Sequence, residues 1–89
     1  MNRFELQNSM LVDEFDDYIR EHSEFAQHIP DRALVALLLE DDEEFSSWSR
    51  QQARTMAEKN QPVLYVKIKK LRPVRSRIEE LAIEAGYSV

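Results

Sequence analysis

Ala33 to Leu39 is an uninterrupted apolar run, Ala-Leu-Val-Ala-Leu-Leu-Leu, set between Ile29-Pro30-Asp31-Arg32 and the acidic Glu40-Asp41. A strand with one face in water alternates apolar and polar residues. This one does not, and reads as a strand buried on both faces. Leucine and alanine also suit helices, so propensity alone does not decide. The flanks do: Pro30-Asp31 lies on one side, and Asp41 starts a new helix on the other. The run is also the longest apolar stretch in the chain, seven residues against the ~20 a membrane-spanning helix needs. No membrane contact is expected.

The element after the run is the best marked. Asp41 as N-cap with Glu44 three residues on matches a capping box, extended from Ser/Thr to Asp. Acids in the first turn suit the positive end of the helix dipole. Phe45, Trp48, Ala53 and Met56 give one apolar face. Lys59 sits near the negative end, Asn60 can take the left-handed conformation that closes a helix, and Pro62 forbids continuation. The spacing predicts a helix over 42–59. A second strand, Val63 to Lys70, follows. Leu64, Val66 and Ile68 occupy one face, while on the other Val63 and Tyr65 give way to Lys67 and Lys69. Strand, helix and strand with a crossover of about twenty residues predict a parallel pair with a right-handed connection.

Upstream, Phe4 to Gln27 is helical by pattern: Phe4, Leu11, Phe15, Tyr18 and Phe25 form one stripe, widened by Met10 and Ile19. Ser23 can cap a separate last turn, so a break is expected near His22, and Pro30 ends the segment. Downstream, Ser76 with Glu79 repeats the capping pattern. Ile78, Leu81, Ala82 and Ala85 follow at helical spacing, and Gly86 suits a stop. A C-terminal helix is predicted, with a short third strand through Leu81, Ile83 and Ala85 as the alternative.

Eighty-nine residues make a single α/β domain, 1–89, with one small core. At 43% hydrophobic and 33% charged the composition is globular. The N-terminus meets acids rather than an apolar stretch, so no signal peptide is expected, and a cytoplasmic location is. Without cysteine there is no disulfide framework, thiolate nucleophile or Cys-based zinc site.

Charge is strongly polarised. Up to Gln61 there are fourteen acids against six Lys/Arg, a net of −8; from Pro62 there are six Lys/Arg against three acids, a net of +3. The overall acidity argues against a general nucleic-acid coat protein. Two parallel strands alone also leave edge backbone groups unpaired, which folded proteins seldom tolerate. Either the C-terminal segment adds a strand or a second copy completes the sheet. A homodimer is expected.

Ile29-Pro30-Asp31, Ala33-Leu34-Val35, Asp42-Glu43-Glu44-Phe45 with Trp48-Ser49, Gln61-Pro62-Val63, Tyr65-Val66-Lys67-Ile68-Lys69, and Leu71-Arg72-Pro73 with Ser76-Arg77-Ile78-Glu79-Glu80-Leu81 together resemble a family of short prokaryotic proteins of unknown function. The resemblance runs from about Phe15 to Leu81. It implies a single stand-alone domain and transfers no catalytic or binding residue.

Chemistry is sparse. Glu40-Asp41-Asp42-Glu43-Glu44 lies at the carboxyl end of a strand, where carboxylates can hold Mg²⁺, yet helix capping already explains it and the turn has no glycine for phosphate. A metal-dependent nuclease motif starting at Pro30-Asp31 needs an acid where Tyr65 stands, and fails. His22 and His28 are six apart, the wrong separation for a shared metal on one helix face. No serine is flanked or partnered as a nucleophile. No cofactor, metal or catalytic residue is assigned. Trp48 and Tyr65 are read as core residues with polar tips.

The concentrated feature that remains is basic: Lys67, Lys69, Lys70, Arg72, Arg75 and Arg77. Near a helix start they could take an anion, although pairing with the protein's own acids, within the chain or across a dimer, is the simpler expectation. The sequence therefore reads as a non-enzymatic protein-interaction module, a homodimer. One alternative is an antitoxin-like or regulatory subunit whose segment 67–77 meets RNA, DNA or an acidic partner. A second is a metal-dependent phosphate-handling enzyme using Asp41 and Asp42.

Overall fold

Helix α1, Arg3–Glu21, begins on a cap, Asn2, two residues ahead of the apolar pattern. Asn2 Oδ1 accepts the Glu5 backbone N–H at 2.8 Å, and Asn2 Nδ2 donates to Glu5 Oε1 at 3.3 Å, so cap and third residue support each other. The protein is seen as a computed structural model that describes residues 2–73 and 76–84. The expected break falls at His22, whose backbone leaves helical geometry (φ −128°, ψ 68°). Its ring stacks on Tyr18 at 4.1 Å, and its Nδ1 donates to the Tyr18 carbonyl at 3.1 Å. A single short turn, α2 (Ser23–Ala26), follows with His22 rather than Ser23 at the cap position.

Strand β1 is Leu34–Leu39, helix α3 is Glu43–Met56, and strand β2 is Val63–Ile68. The strands pair in parallel, with Leu34 beside Val63 and Leu39 beside Ile68. The chain is thus a small α/β domain: helix, then strand-helix-strand. β1 is buried through Ala36, Leu37, Leu38 and Leu39, as a strand with no polar alternation requires, while β2 alternates from Leu64 onward between half-buried and exposed. Leu11, Leu37, Leu39 and Phe45 form the buried centre, with Phe4, Phe15, Val35, Trp48, Val66 and Ile68 against it. Phe4 locks α1 to α3 by contacts with Phe45 and Trp48, ring centres 6.2 and 5.7 Å away.

Two turns set where the strands begin. Arg32 (φ 62°) and Asn60 (φ 66°) both adopt the left-handed conformation just before their strands. The Gln61 side chain ties the turns together: its Nε2 donates to the Arg32 carbonyl at 3.0 Å and its Oε1 accepts the Glu58 N–H at 2.9 Å. Asn60 is therefore left-handed as expected, but in this turn and not as the closure of α3, which ends at Met56 with Ala57 already extended.

Several expectations need correction. The cap of α3 is Asp42, not Asp41: its Oδ1 accepts the Phe45 N–H at 3.0 Å. The third helical residue is then Phe45, which cannot reciprocate, so the capping box does not form. Asp41 is displaced because the chain leaving β1 folds into a tight turn in which the Asp42 N–H reaches the Leu39 carbonyl. Met56, Met10 and Tyr65 are exposed rather than core. The largest correction is at the C-terminus. Residues 76–84 form neither the predicted helix nor the alternative strand. The Ser76 hydroxyl accepts the Ile78 N–H at 3.1 Å, a local turn in place of a helix cap. A helix this short depends on packing its apolar side, and Ile78, Leu81 and Ile83 are 63, 71 and 86% exposed. Ala85 and Gly86, part of the same prediction, lie outside the described residues.

Candidate interaction surface

The basic residues singled out in the sequence lie along one stretch of chain leaving the sheet. Lys67 is an exposed position of β2; Lys69, Lys70 and Arg72 follow the strand, and Arg77 lies further along, all exposed. Arg75 lies outside the described residues. Among the described residues the ion pairs are Arg3 with Glu44 (3.6 Å), Arg50 with Glu43 (3.2 Å) and Arg20 with Asp17. None of Lys67, Lys69, Lys70, Arg72 or Arg77 has a carboxylate partner there. Pairing with the protein's own acids within the chain, the simpler expectation, is not seen for these residues among the described ones.

Three carboxylates of the acidic cluster are committed elsewhere. Asp42 caps α3, Glu43 accepts from Ser47 (3.3 Å) and Arg50, and Glu44 faces Arg3. Glu40 and Asp41 face solvent. Among the described residues no three His, Asp or Glu side chains are grouped to hold a metal ion, and no helix is long and apolar enough to cross a membrane.

The same stretch exposes apolar groups. Leu71, Ile78, Leu81 and Ile83 stand in solvent, and among the described residues past Ile68 the one hydrogen bond made on residues of that segment is the Ser76–Ile78 turn. Residues 69–73 and 76–84 form an arm, basic in its first half and, in its second, mixing exposed apolar residues with Glu79, Glu80 and Glu84. A shallow cleft of about 380 Å³ lies on the body between α1, α3 and the start of β1, floored by Val35, Ala36 and Ala53 and edged by Glu5, Asn8 and Gln52. It brings together none of the predicted basic residues.

Ser46 is the position sequence reasoning passed over. Its hydroxyl is buried, accepts the Leu39 N–H at 2.9 Å and donates to the Leu39 carbonyl at 2.8 Å. One side chain thus satisfies both backbone groups at the end of β1. The available signal was spacing: Ser46, Ser49 and Ala53 recur at helical separations of three and four, and all three are buried. Small residues on that line let α3 approach β1 closely; the larger Trp48 and Met56 drew attention to a neighbouring face.

Fold and surface together define a small strand-helix-strand domain with one helix packed ahead of it and a projecting basic-apolar arm. The chain belongs to the family described as "Family of unknown function (DUF5647)", whose match covers residues 3–81 and so takes in both the folded body and the arm through Leu81. No curated protein and no solved structure matches it.

Proposed function

We propose that this protein is a non-enzymatic interaction module that works as a homodimer, with the arm as its principal contact element. The observation that carries the reading is the arm itself. Leu71, Ile78, Leu81 and Ile83 are exposed together on one segment that also bears Lys69, Lys70, Arg72 and Arg77, without carboxylate partners among the described residues. Isolated exposed apolar residues are ordinary, whereas four of them on one short segment mark a surface that another molecule covers. A segment with this pattern folds when it finds a surface to lie on.

Sedimentation near neutral pH tests the reading. The expected species has about twice the 10.5 kDa chain mass. Ile78→Ser with Leu81→Ser should weaken assembly and leave the circular dichroism of the body unchanged. A monomer at tens of micromolar with full secondary structure would remove the homodimer.

The unpaired cations support a second reading, a regulatory or antitoxin-like subunit whose segment 67–77 meets an acidic protein or a nucleic acid. Substituting Arg72, Arg75 and Arg77 with Glu separates the two. Loss of the dimer assigns the arginines to self-association. A stable dimer leaves them for another partner, and the regulatory reading then comes first.

A further inference from the structure

The two edges of the sheet differ. Leu34 N–H donates to the Pro62 carbonyl and Glu40 N–H to the Ile68 carbonyl, so the even-numbered residues of both strands turn their backbone groups toward each other. The pleat then turns the odd-numbered ones outward: Val35, Leu37 and Leu39 on the β1 edge, and Val63, Tyr65 and Lys67 on the β2 edge. The β1 edge is closed where Ser46 holds both groups of Leu39, and Leu37 is buried. On the β2 edge Val63 is half-buried, Tyr65 and Lys67 are exposed, and among the described residues no loop or side chain bonds their backbone.

We infer that two copies of this chain join by antiparallel pairing of their β2 edges, giving a four-stranded sheet in the order β1–β2–β2–β1. The inference rests on the homodimer reading above and names its seam. The edge is self-complementary about a two-fold axis through Tyr65. In that register Tyr65 faces the partner's Tyr65, Lys67 faces the partner's Val63, and Lys69 faces the partner's Gln61. Aromatic side chains meet at the centre and no like charges are opposed. Sliding the axis to Lys67 would set lysine against lysine, which cross-strand pairs disfavour. A short strand edge supplies little of the roughly 1,600 Å² that a stable interface buries. The arms supply more. Each leaves β2 directly after Ile68, and antiparallel pairing carries it past the partner's turn at residues 58–62, bringing Leu71 and the apolar residues beyond it against the second copy.

The test uses the pleat. The Tyr65 N–H points away from β1, so Tyr65→Pro removes a donor that the monomer does not use and a dimer seam does. The expected result is a monomer with the circular dichroism and melting curve of a folded domain. Because the chain has no cysteine, Tyr65→Cys places one thiol per copy. Directly opposed residues in a hydrogen-bonded antiparallel pair lie about 5.5 Å apart at Cα, within disulfide reach. Mild oxidation should therefore give at least ten times more covalent dimer than Met10→Cys, an exposed control on α1. A dimer that survives Tyr65→Pro, with cross-linking at 65 no better than at 10, overturns the β2 seam while the homodimer stands. A monomeric wild type overturns both. Where Tyr65→Pro does not fold, the cross-linking comparison decides.

Discussion

The body, residues 3–68, and the arm, residues 69–73 and 76–84, carry similar sequence signals and have opposite fates. Both contain a capping pattern followed by apolar residues at helical spacing. In the body, α3 sets Phe45, Ser46, Ser49 and Ala53 against β1 and holds its helix; in the arm, Ile78 and Leu81 are left largely exposed. Amphipathic spacing states which side of a helix needs cover. It does not supply the cover, and most helical stability in a small protein comes from packing. The molecule is accordingly elongated, 64 × 31 × 21 Å with a radius of gyration of 18.6 Å, against about 12 Å for a compact domain of this length.

The hardest test of that contrast is a pair of truncations. Phe45 is fully buried, and Phe45→Ala should cost about 3–5 kcal/mol in chemical denaturation. Ile78→Ser with Leu81→Ser, under conditions where the chain is monomeric, should stay within about 0.5 kcal/mol of the parent. A loss of several kcal/mol from the arm pair would mean the arm belongs to the monomer's core.

Serines sharpen the comparison. Ser46→Ala leaves the Leu39 N–H unpaired and its carbonyl with the Asp42 N–H alone, and is expected to destabilise by about 1–3 kcal/mol, whereas Ser76→Ala, which removes one exposed turn bond, should be close to silent. Equal effects at the two sites would show that β1 is not closed by Ser46. A smaller separation is expected at the α3 cap. Asp42→Ala should cost about 0.5–2 kcal/mol by thermal or urea melting, and Asp41→Ala nearly nothing. The reverse ranking would restore the cap to Asp41. The least effect on monomer stability is expected from Arg72→Glu with Arg77→Glu, since neither has a carboxylate partner among the described residues. Their influence should appear in sedimentation or in binding to an acidic partner.

Much of the body was legible in the chain. Seven apolar residues between a proline turn and an acidic helix start identify β1. Pro62 with the alternation of β2, and the break at His22, mark their elements to within a residue or two. The basic segment was equally visible, because charge needs no packing to be read. What stayed hidden were small polar residues, Asn2 and Ser46, whose roles depend on which backbone groups they meet.

Composition, spacing and capping residues by themselves determined an α/β fold, a parallel strand-helix-strand order and a cationic segment after the second strand. They could do so because local conformational preference and apolar period are properties of neighbouring residues. Only the tertiary structure decided that Asp42 and not Asp41 caps α3, that Ser46 closes the end of β1, and that residues 76–84 remain without helix or strand. Each of those outcomes depends on what lies across the fold: a tight turn at Leu39, a helix seated on a strand, and an apolar pattern left exposed among the described residues.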